Sequence, residues 1–184
     1  PQVQETLTHV RDALGYAVAG PADGALAVGE ADGPGRMLEP GQILQHVGRA
    51  LERPGSLRGC TVLVTAGPTR EALDPVRYLG NRSSGRQGYA LAQAAWRRGA
   101  DVLLVSGPSS LEPPEGPRLI RVETARDMLA AVEEHLPSAD VAIFAAAVAD
   151  YRPADARDRK MKRRDSGEAP TVALTENPDV AADT

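Results

Sequence analysis

Three short apolar runs alternate with two helical patterns through the latter part of the chain, and that alternation narrows the fold before any motif is read. Thr61-Val62-Leu63-Val64-Thr65-Ala66 is brief, β-branched and closed by Gly67-Pro68, the form of a buried parallel strand. Tyr89 to Arg98 favours helix, places Leu91, Ala94 and Ala95 on one face, and stops at Gly99, a natural residue just past a helix end. Asp101-Val102-Leu103-Leu104-Val105-Ser106 is a second strand, ended by Gly107-Pro108. Thr124 and Asp127 form a capping-box pattern, Met128, Leu129, Val132 and Leu136 make the stripe of the next helix, and Pro137 ends it. Val141 to Val148 is a third run, apolar on both faces, as a central parallel strand should be. Strand–helix–strand–helix–strand predicts an α/β fold, a doubly wound, mostly parallel sheet with ligands outside the carboxyl ends of its strands.

The first connection carries the most chemistry. Leu73 to Gly88 is rich in Gly, Ser, Asn and Arg and runs into a helix start, where unpaired N–H groups and the positive end of the dipole suit an anion. Gly80-Asn81-Arg82-Ser83-Ser84-Gly85 has the outer glycine spacing of a P-loop, but Arg86-Gln87 stands where Lys-Ser/Thr is required. Gly80, Gly85 and Gly88 also miss the G-x-G-x-x-G spacing. An NAD(P)-dependent oxidoreductase on the same sheet is the rival enzyme class. It predicts that fingerprint and often a Tyr-x-x-x-Lys pair, and none follows Tyr16, Tyr78, Tyr89 or Tyr151.

Upstream the pattern changes. Residues 1 to about 15 spell an amphipathic helix through Val3, Leu7, Val10 and Leu14, Gly15 stops it, and Tyr16 to Ala19 suggests a short strand. A glycine- and alanine-rich stretch follows to Gly35, then a short helix from Pro40 to Leu51. Residues 52–59, Glu-Arg-Pro-Gly-Ser-Leu-Arg-Gly, read as a polar linker. The expected organisation is therefore 1–51, linker 52–59, and a domain from 60 to 184. The net charge of −4 argues against a dedicated nucleic-acid binder. The single cysteine, Cys60, rules out an intrachain disulfide and fits a reducing cytoplasm. No apolar run is long enough to span a bilayer.

The last cluster is basic: Arg157-Asp158-Arg159-Lys160-Met161-Lys162-Arg163-Arg164 holds six cations in eight residues. It admits a solvated loop, a nucleic-acid arm without an aromatic platform, or an arm that closes over a triphosphate.

Thr65-Ala66-Gly67-Pro68-Thr69-Arg70-Glu71, Asp74-Pro75-Val76-Arg77 and Asn81-Arg82-Ser83-Ser84-Gly85 together resemble the ligase domain of the bacterial bifunctional phosphopantothenoylcysteine decarboxylase/phosphopantothenate–cysteine ligases. The resemblance extends to Ala146-Ala147-Val148-Ala149-Asp150-Tyr151-Arg152, to Lys160-Met161-Lys162-Arg163 against the family's K-x-K-K, and to Glu176-Asn177-Pro178-Asp179-Val180. It implies a Rossmann-like sheet that is C-terminally incomplete here, since the family's G-F-A-A-E-T motif is missing. Gly24 to Gly29 and Gly33 to Pro40 resemble the tail of the family's flavin-dependent decarboxylase domain. Val28 stands where that domain places its proton-donating cysteine, and the flavin-binding loops are not present, so decarboxylation by this chain is not expected. FMN would belong only to a decarboxylase domain of the parent protein.

The implied reaction joins 4′-phosphopantothenate to L-cysteine with CTP through an acyl-cytidylate. A carboxylate and an amine do not condense unaided near neutral pH, so a site for this reaction must cradle phosphates, neutralise charge at the α-phosphate and orient the acid. No protein nucleophile is needed. By the resemblance, Asn81 serves turnover of the intermediate and Lys160 its formation. Ser83, Ser84, Gly85 and Lys162 bind phosphate, while Ala146 and Asp150 line the cytosine pocket. Arg77 and Asn177 are assigned to substrate. Arg86-Gln87 departs from the family's commoner Lys-Met with the positive charge kept. His9, His46 and His135 lie outside every motif and no Cys/His ligand spacing occurs, so any metal is Mg²⁺ arriving with the triphosphate. The implied enzyme is a homodimer that uses neither membrane nor nucleic acid. A non-catalytic nucleotide-binding or dimerisation fragment is the third reading.

Overall fold

The computed structural model describes residues 2–25, 32–52, 55–162 and 171–184. Two compact units divide it, Pro1–Arg53 and Pro54–Thr184. Leu26 to Gly29, Val28 among them, and Arg163 and Arg164 lie outside the described residues.

In the first unit, helix α1 (Gln2–Thr8) continues as a π-helical turn over His9–Ala13. Strands β1 (Ala22–Gly24) and β2 (Gly33–Arg36) pair antiparallel, and helix α2 (Pro40–Leu51) follows. Pro40 opens α2 without cost because its missing N–H is one the first turn leaves unpaired. Tyr16 to Ala19 forms no strand. The extended pairing falls instead at Ala22–Gly24, and Tyr16 is exposed. Along the N-terminal stripe Val3 and Leu14 are exposed, and Leu7 and Val10 are only half-buried.

In the second unit, β3 (Thr61–Ala66) is the organising strand. It pairs in parallel with β6 (Asp101–Ser106) on one side and β8 (Val141–Phe144) on the other. Strand β7 (Arg118–Arg121) adds beyond β6, giving the order β7-β6-β3-β8. Helix α3 (Arg86–Arg97) covers one face and α4 (Ala125–His135) the other. The period of two along β3 feeds both layers: Val62, Val64 and Ala66 pack with Tyr89, Ala92 and Trp96 of α3, whereas Leu63 packs with Met128 and Val132 of α4 and with Val180. Each such fully buried aliphatic contributes about 1.5–3 kcal/mol relative to exposure. Both faces of β3 are therefore dry, as expected of a parallel strand between helical layers.

Three sequence expectations are corrected. The run 141–148 is a strand only to Phe144; among the described residues β8 pairs with β3 alone, and Val141 and Phe144 are exposed. Helix α3 begins at Arg86 rather than Tyr89, and its buried face is Gly88, Tyr89, Ala92, Ala95 and Trp96, with Leu91 only packed at the margin. Tyr89 and Trp96, the two bulky rings, set which side faces inward. Leu57, within the stretch 52–59, belongs to the second unit: its N–H donates to the Arg98 carbonyl at 3.0 Å and it packs against the α3 layer. Inside the long connection lies a hairpin, β4 (Arg70–Asp74) against β5 (Arg77–Gly80), turned through Pro75-Val76.

Candidate active site

In the order β7-β6-β3-β8 the chain winds outward from β3 and then returns to its other side. The switch point is therefore the gap between β3 and β8, where a doubly wound sheet opens a crevice at its carboxyl end. A cleft of about 590 Å³ lies there, lined by Thr65, Phe144, Ala146, Asp150, Tyr151 and Asn177 among others.

The loop after β8 is built by side chains from the first strand and its connection. Thr65, 1 % exposed, accepts through Oγ1 from the N–H groups of Ala145 and Ala146 at 3.1 and 3.2 Å. Thr69, fully buried, accepts from the Ala149 N–H at 2.9 Å. Asn81 completes the lattice from the other side, its Nδ2 donating to the carbonyls of Ala147 and Val148 at 3.2 and 3.0 Å. Three side chains thus bond five backbone polar groups of residues 145–149, the N–H groups of 145, 146 and 149 and the carbonyls of 147 and 148. Backbone bonds add to this beyond the end of β8: the Ala145 N–H donates to the Thr65 carbonyl at 3.2 Å, the Ala147 N–H to the Gly67 carbonyl at 2.8 Å, and the Thr69 N–H to the Ala147 carbonyl at 3.3 Å, so the loop's polar groups are fixed before any ligand arrives.

Asn81 also lines a second, smaller cavity of about 200 Å³, with Thr69, Arg70, Tyr78, Ser83 and Ser84. This cavity sits at the N-terminus of α3, whose cap residue Gly85 has φ +80°, a left-handed value that other residues rarely adopt. At Gly88 a Cβ would come within 2.4 Å of the Ala66 Cβ, so glycine is what lets the first turn of α3 lie against β3. The Ser83 and Ser84 hydroxyls accept from the Gly85 and Arg86 N–H groups. Arg70 stacks on the Tyr78 ring, 4.7 Å to its centroid.

A two-stranded ladder, β9 (Tyr151–Pro153) with β10 (Leu174–Glu176), closes the cleft's other wall. It brings together residues far apart in sequence. The Asn177 N–H donates to the Asp150 carbonyl at 2.8 Å, and Asn177 Nδ2 donates to the Ala149 carbonyl at 2.7 Å. Arg152 donates to the Glu176 carbonyl and to Asn177 Oδ1.

Of the residues singled out in the sequence, Ala146, Asp150 and Asn177 share the larger cleft, and Asn81 links it to Ser83, Ser84 and Gly85. Lys160 and Lys162 line neither cavity; Lys160 borders a separate hollow over Asp155 to Met161. Arg77 is turned onto Asp74 and the Met161 carbonyl rather than toward the cleft. Asp74 was not expected to matter, yet its side chain is fully buried. The Arg77 guanidinium holds its carboxyl far below the usual carboxylate range; burial opposes this, and the N–H groups of Val76, Met161 and Arg77 assist it. Thr65 and Thr69 were also unassigned. A threonine at the end of an apolar strand is ordinary in sequence, and only its partners about 80 residues away reveal its use. Among the described residues no group of three or more His, Cys, Asp or Glu side chains could hold a metal ion, and no helix is long and apolar enough to cross a membrane.

The family model of the DNA/pantothenate metabolism flavoprotein C-terminal domain matches residues 57–184. The chain belongs to this family. Relatives named coenzyme A biosynthesis bifunctional protein CoaBC are 48 % identical over 168 residues in Vibrio vulnificus (strain YJ016) and 44 % identical over 169 residues in Escherichia coli (strain K12), each match covering 91 % of this chain. The chain spans 41 % of the length of either relative. These matches reach beyond residues 57–184, so part of the N-terminal unit is shared as well. Among solved structures, the C-terminal domain of a coenzyme A biosynthesis bifunctional protein CoaBC superposes with a TM-score of 0.58 at 44 % identity, over 68 % of this chain and 58 % of that one. The pantothenate-metabolism domain thus has a Rossmann-like sheet in this chain, with its crevice between β3 and β8.

Proposed function

We propose that the chain carries the phosphopantothenate–cysteine ligase site of a coenzyme A biosynthesis protein, activating 4′-phosphopantothenate with CTP and joining it to L-cysteine. The observation that carries this reading is the bridge from Asn81 to the Ala147 and Val148 carbonyls. It joins the phosphate-type loop before α3 to the cleft between β3 and β8, as a reaction between a triphosphate and an acid requires.

In the first step a carboxylate oxygen attacks the α-phosphorus of CTP, the bond to the β-phosphate breaks, and pyrophosphate leaves. In the second the cysteine amine attacks the acyl carbon, CMP leaves with the bonding pair, and the amine gives up a proton. Nothing in either step calls for a covalent bond to the protein. The chain supplies placement and charge: the α3 N-terminus with Ser83 and Ser84 for phosphate, the Ala146 peptide and Asp150 for the base, and Lys160 and Lys162 for charge at the reacting phosphate. Mg²⁺ would arrive with the triphosphate and would supply charge neutralisation there. FMN would belong to a decarboxylase domain of the parent protein rather than to the ligase site.

Asn81 has a role that its contacts explain. With Nδ2 committed to two carbonyls, its Oδ1 is the pole left to accept from an incoming amine. Asn81→Asp would set a carboxylate oxygen against both carbonyls, so it should disturb loop and second step together. The same reading includes a cytoplasmic homodimer, and Val76 and Tyr78, exposed on the β4–β5 hairpin, are the first surface to test by sedimentation.

The test is CTP-dependent pyrophosphate release with 4′-phosphopantothenate and Mg²⁺, with and without cysteine, on this chain and its Asn81→Asp variant. Release by the unmutated chain and acyl-cytidylate accumulation in the variant are the expected results. Failure of the unmutated chain to bind CTP, or binding of NADPH in its place, would end the ligase reading.

A further inference from the structure

The basic cluster is fastened at its root, and the fastening involves a residue the reaction does not otherwise need. Asp74 closes β4 with its side chain wholly buried. Its Oδ1 accepts from the Val76 and Arg77 N–H groups, both at 2.9 Å, which is what a hairpin turn asks of an aspartate. Its Oδ2 does something else. It accepts from the Met161 N–H at 3.2 Å and from the Arg77 guanidinium, through Nε at 3.0 Å and through Nη2. Arg77 Nη2 in turn donates to the Met161 carbonyl at 3.0 Å. One ion pair, its carboxylate buried and its guanidinium exposed, therefore grips both polar groups of Met161, 87 positions beyond Asp74. Next to it, the Arg157 N–H donates to the Leu73 carbonyl at 3.1 Å, so the stretch 157–161 touches the end of β4 at two places.

We propose that Asp74, acting with Arg77, is a positioning residue for Lys160: the pair clamps Met161 and thereby sets where the lysines on either side of it can reach. This inference rests on the ligase reading for what Lys160 does, and on the coordinates alone for the clamp. The physical reason is entropy. Lys160 and Lys162 are exposed on long flexible stems, and fixing the backbone between them removes much of the freedom that a charged arm would lose on meeting a triphosphate. A charge-assisted, multiply bonded carboxylate is the kind of anchor that can hold a solvent-facing loop.

The variant is Asp74→Asn. It keeps an Oδ1 for the turn but replaces Oδ2 with an NH₂ that can accept neither from Met161 nor from Arg77. Trypsin reads the clamp without any activity: cleavage after Lys160 and Lys162 should quicken by about tenfold, because protection follows local opening. Pyrophosphate release should fall by about tenfold in kcat with little change in KM for the acid, and this loss should vanish in a Lys160→Gln background, since two residues acting as a unit are not additive. Unchanged cleavage would overturn the clamp, and an equal loss of kcat in both backgrounds would overturn its connection to Lys160. If Asp74→Asn does not fold, Arg77→Lys reads the same clamp with the turn carboxylate intact, by the same cleavage and the same double-variant comparison. Faster cleavage without any pyrophosphate release from the unmutated chain would remove the ligase reading and leave the clamp standing.

Discussion

The loop at 145–149 and the arm root at 157–161 both lie beyond the end of β8, yet they are held in different ways. The loop is laced by Thr65, Thr69 and Asn81 at five backbone polar groups, and Thr65 and Thr69 are buried. The root is held by Asp74 and Arg77 at one residue, Met161, with Arg157 tied nearby, and its side chains face solvent. A pocket wall needs to be right before the ligand comes. An arm needs only a fixed pivot. Many small bonds from a rigid sheet give the first, and one strong carboxylate gives the second.

Breaking the common foundation should produce the largest effect. Leu63 is fully buried in the layer that also receives Ala146 and Val148, so Leu63→Ala should cost about 2–5 kcal/mol of unfolding free energy in denaturant melts. The comparison sharpens with Thr65→Val, which keeps shape but strips the acceptor from the Ala145 and Ala146 amides. The expected loss is about 1–3 kcal/mol, together with weaker CTP binding and unchanged trypsin cleavage after Lys160. If that cleavage quickened instead, loop and arm would be one cooperative unit. Thr124→Ala tests an element remote from both. Thr124 accepts from the Asp127 N–H and Asp127 from the Thr124 N–H, so the loss should be about 1 kcal/mol with neither CTP binding nor arm cleavage altered.

The smallest effect is one of pH. Asp74 is held well below its ordinary value of 3.8 in the folded chain, so its contribution is fully present above that unfolded value. It is lost as pH falls further, because the unfolded state then takes up a proton that the folded state refuses. Urea midpoints between pH 7 and pH 3 should fall less steeply in Asp74→Asn than in the parent. Equal slopes would mean that the carboxylate's partners in the arm root contribute nothing to stability.

Much of the scaffold could be read from residues alone. Strands β3 and β6, helix α2, and the Thr124–Asp127 box were visible because strand period, helix period and capping are local patterns. The hairpin was hidden in what read as a loop, although Asp74-Pro75-Val76-Arg77 carries aspartate then proline, the first two residues of a common turn. Strand β7 was missed because Arg118-Leu119-Ile120-Arg121 is only four residues long and follows a Pro- and Ser-rich stretch. The end of β8 at Phe144 could not be foreseen, since the Ala145 to Val148 stretch beyond it is as apolar as the strand itself.

By itself the sequence determined the alternation of strand and helix, the glycine- and serine-rich entry to the first helix of the sheet, and the identity of the groups that could meet phosphate. Those depend on neighbours a few residues apart, where spacing and side-chain chemistry suffice. Only the tertiary structure decided that Thr65 serves Ala145, that Asn81 serves Val148, and that Asp74 serves Met161. These pairs lie 80, 67 and 87 positions apart. Which of many polar groups meet across such distances follows from strand order and loop closure, because a hydrogen bond forms only where the fold has brought donor and acceptor within about 3 Å.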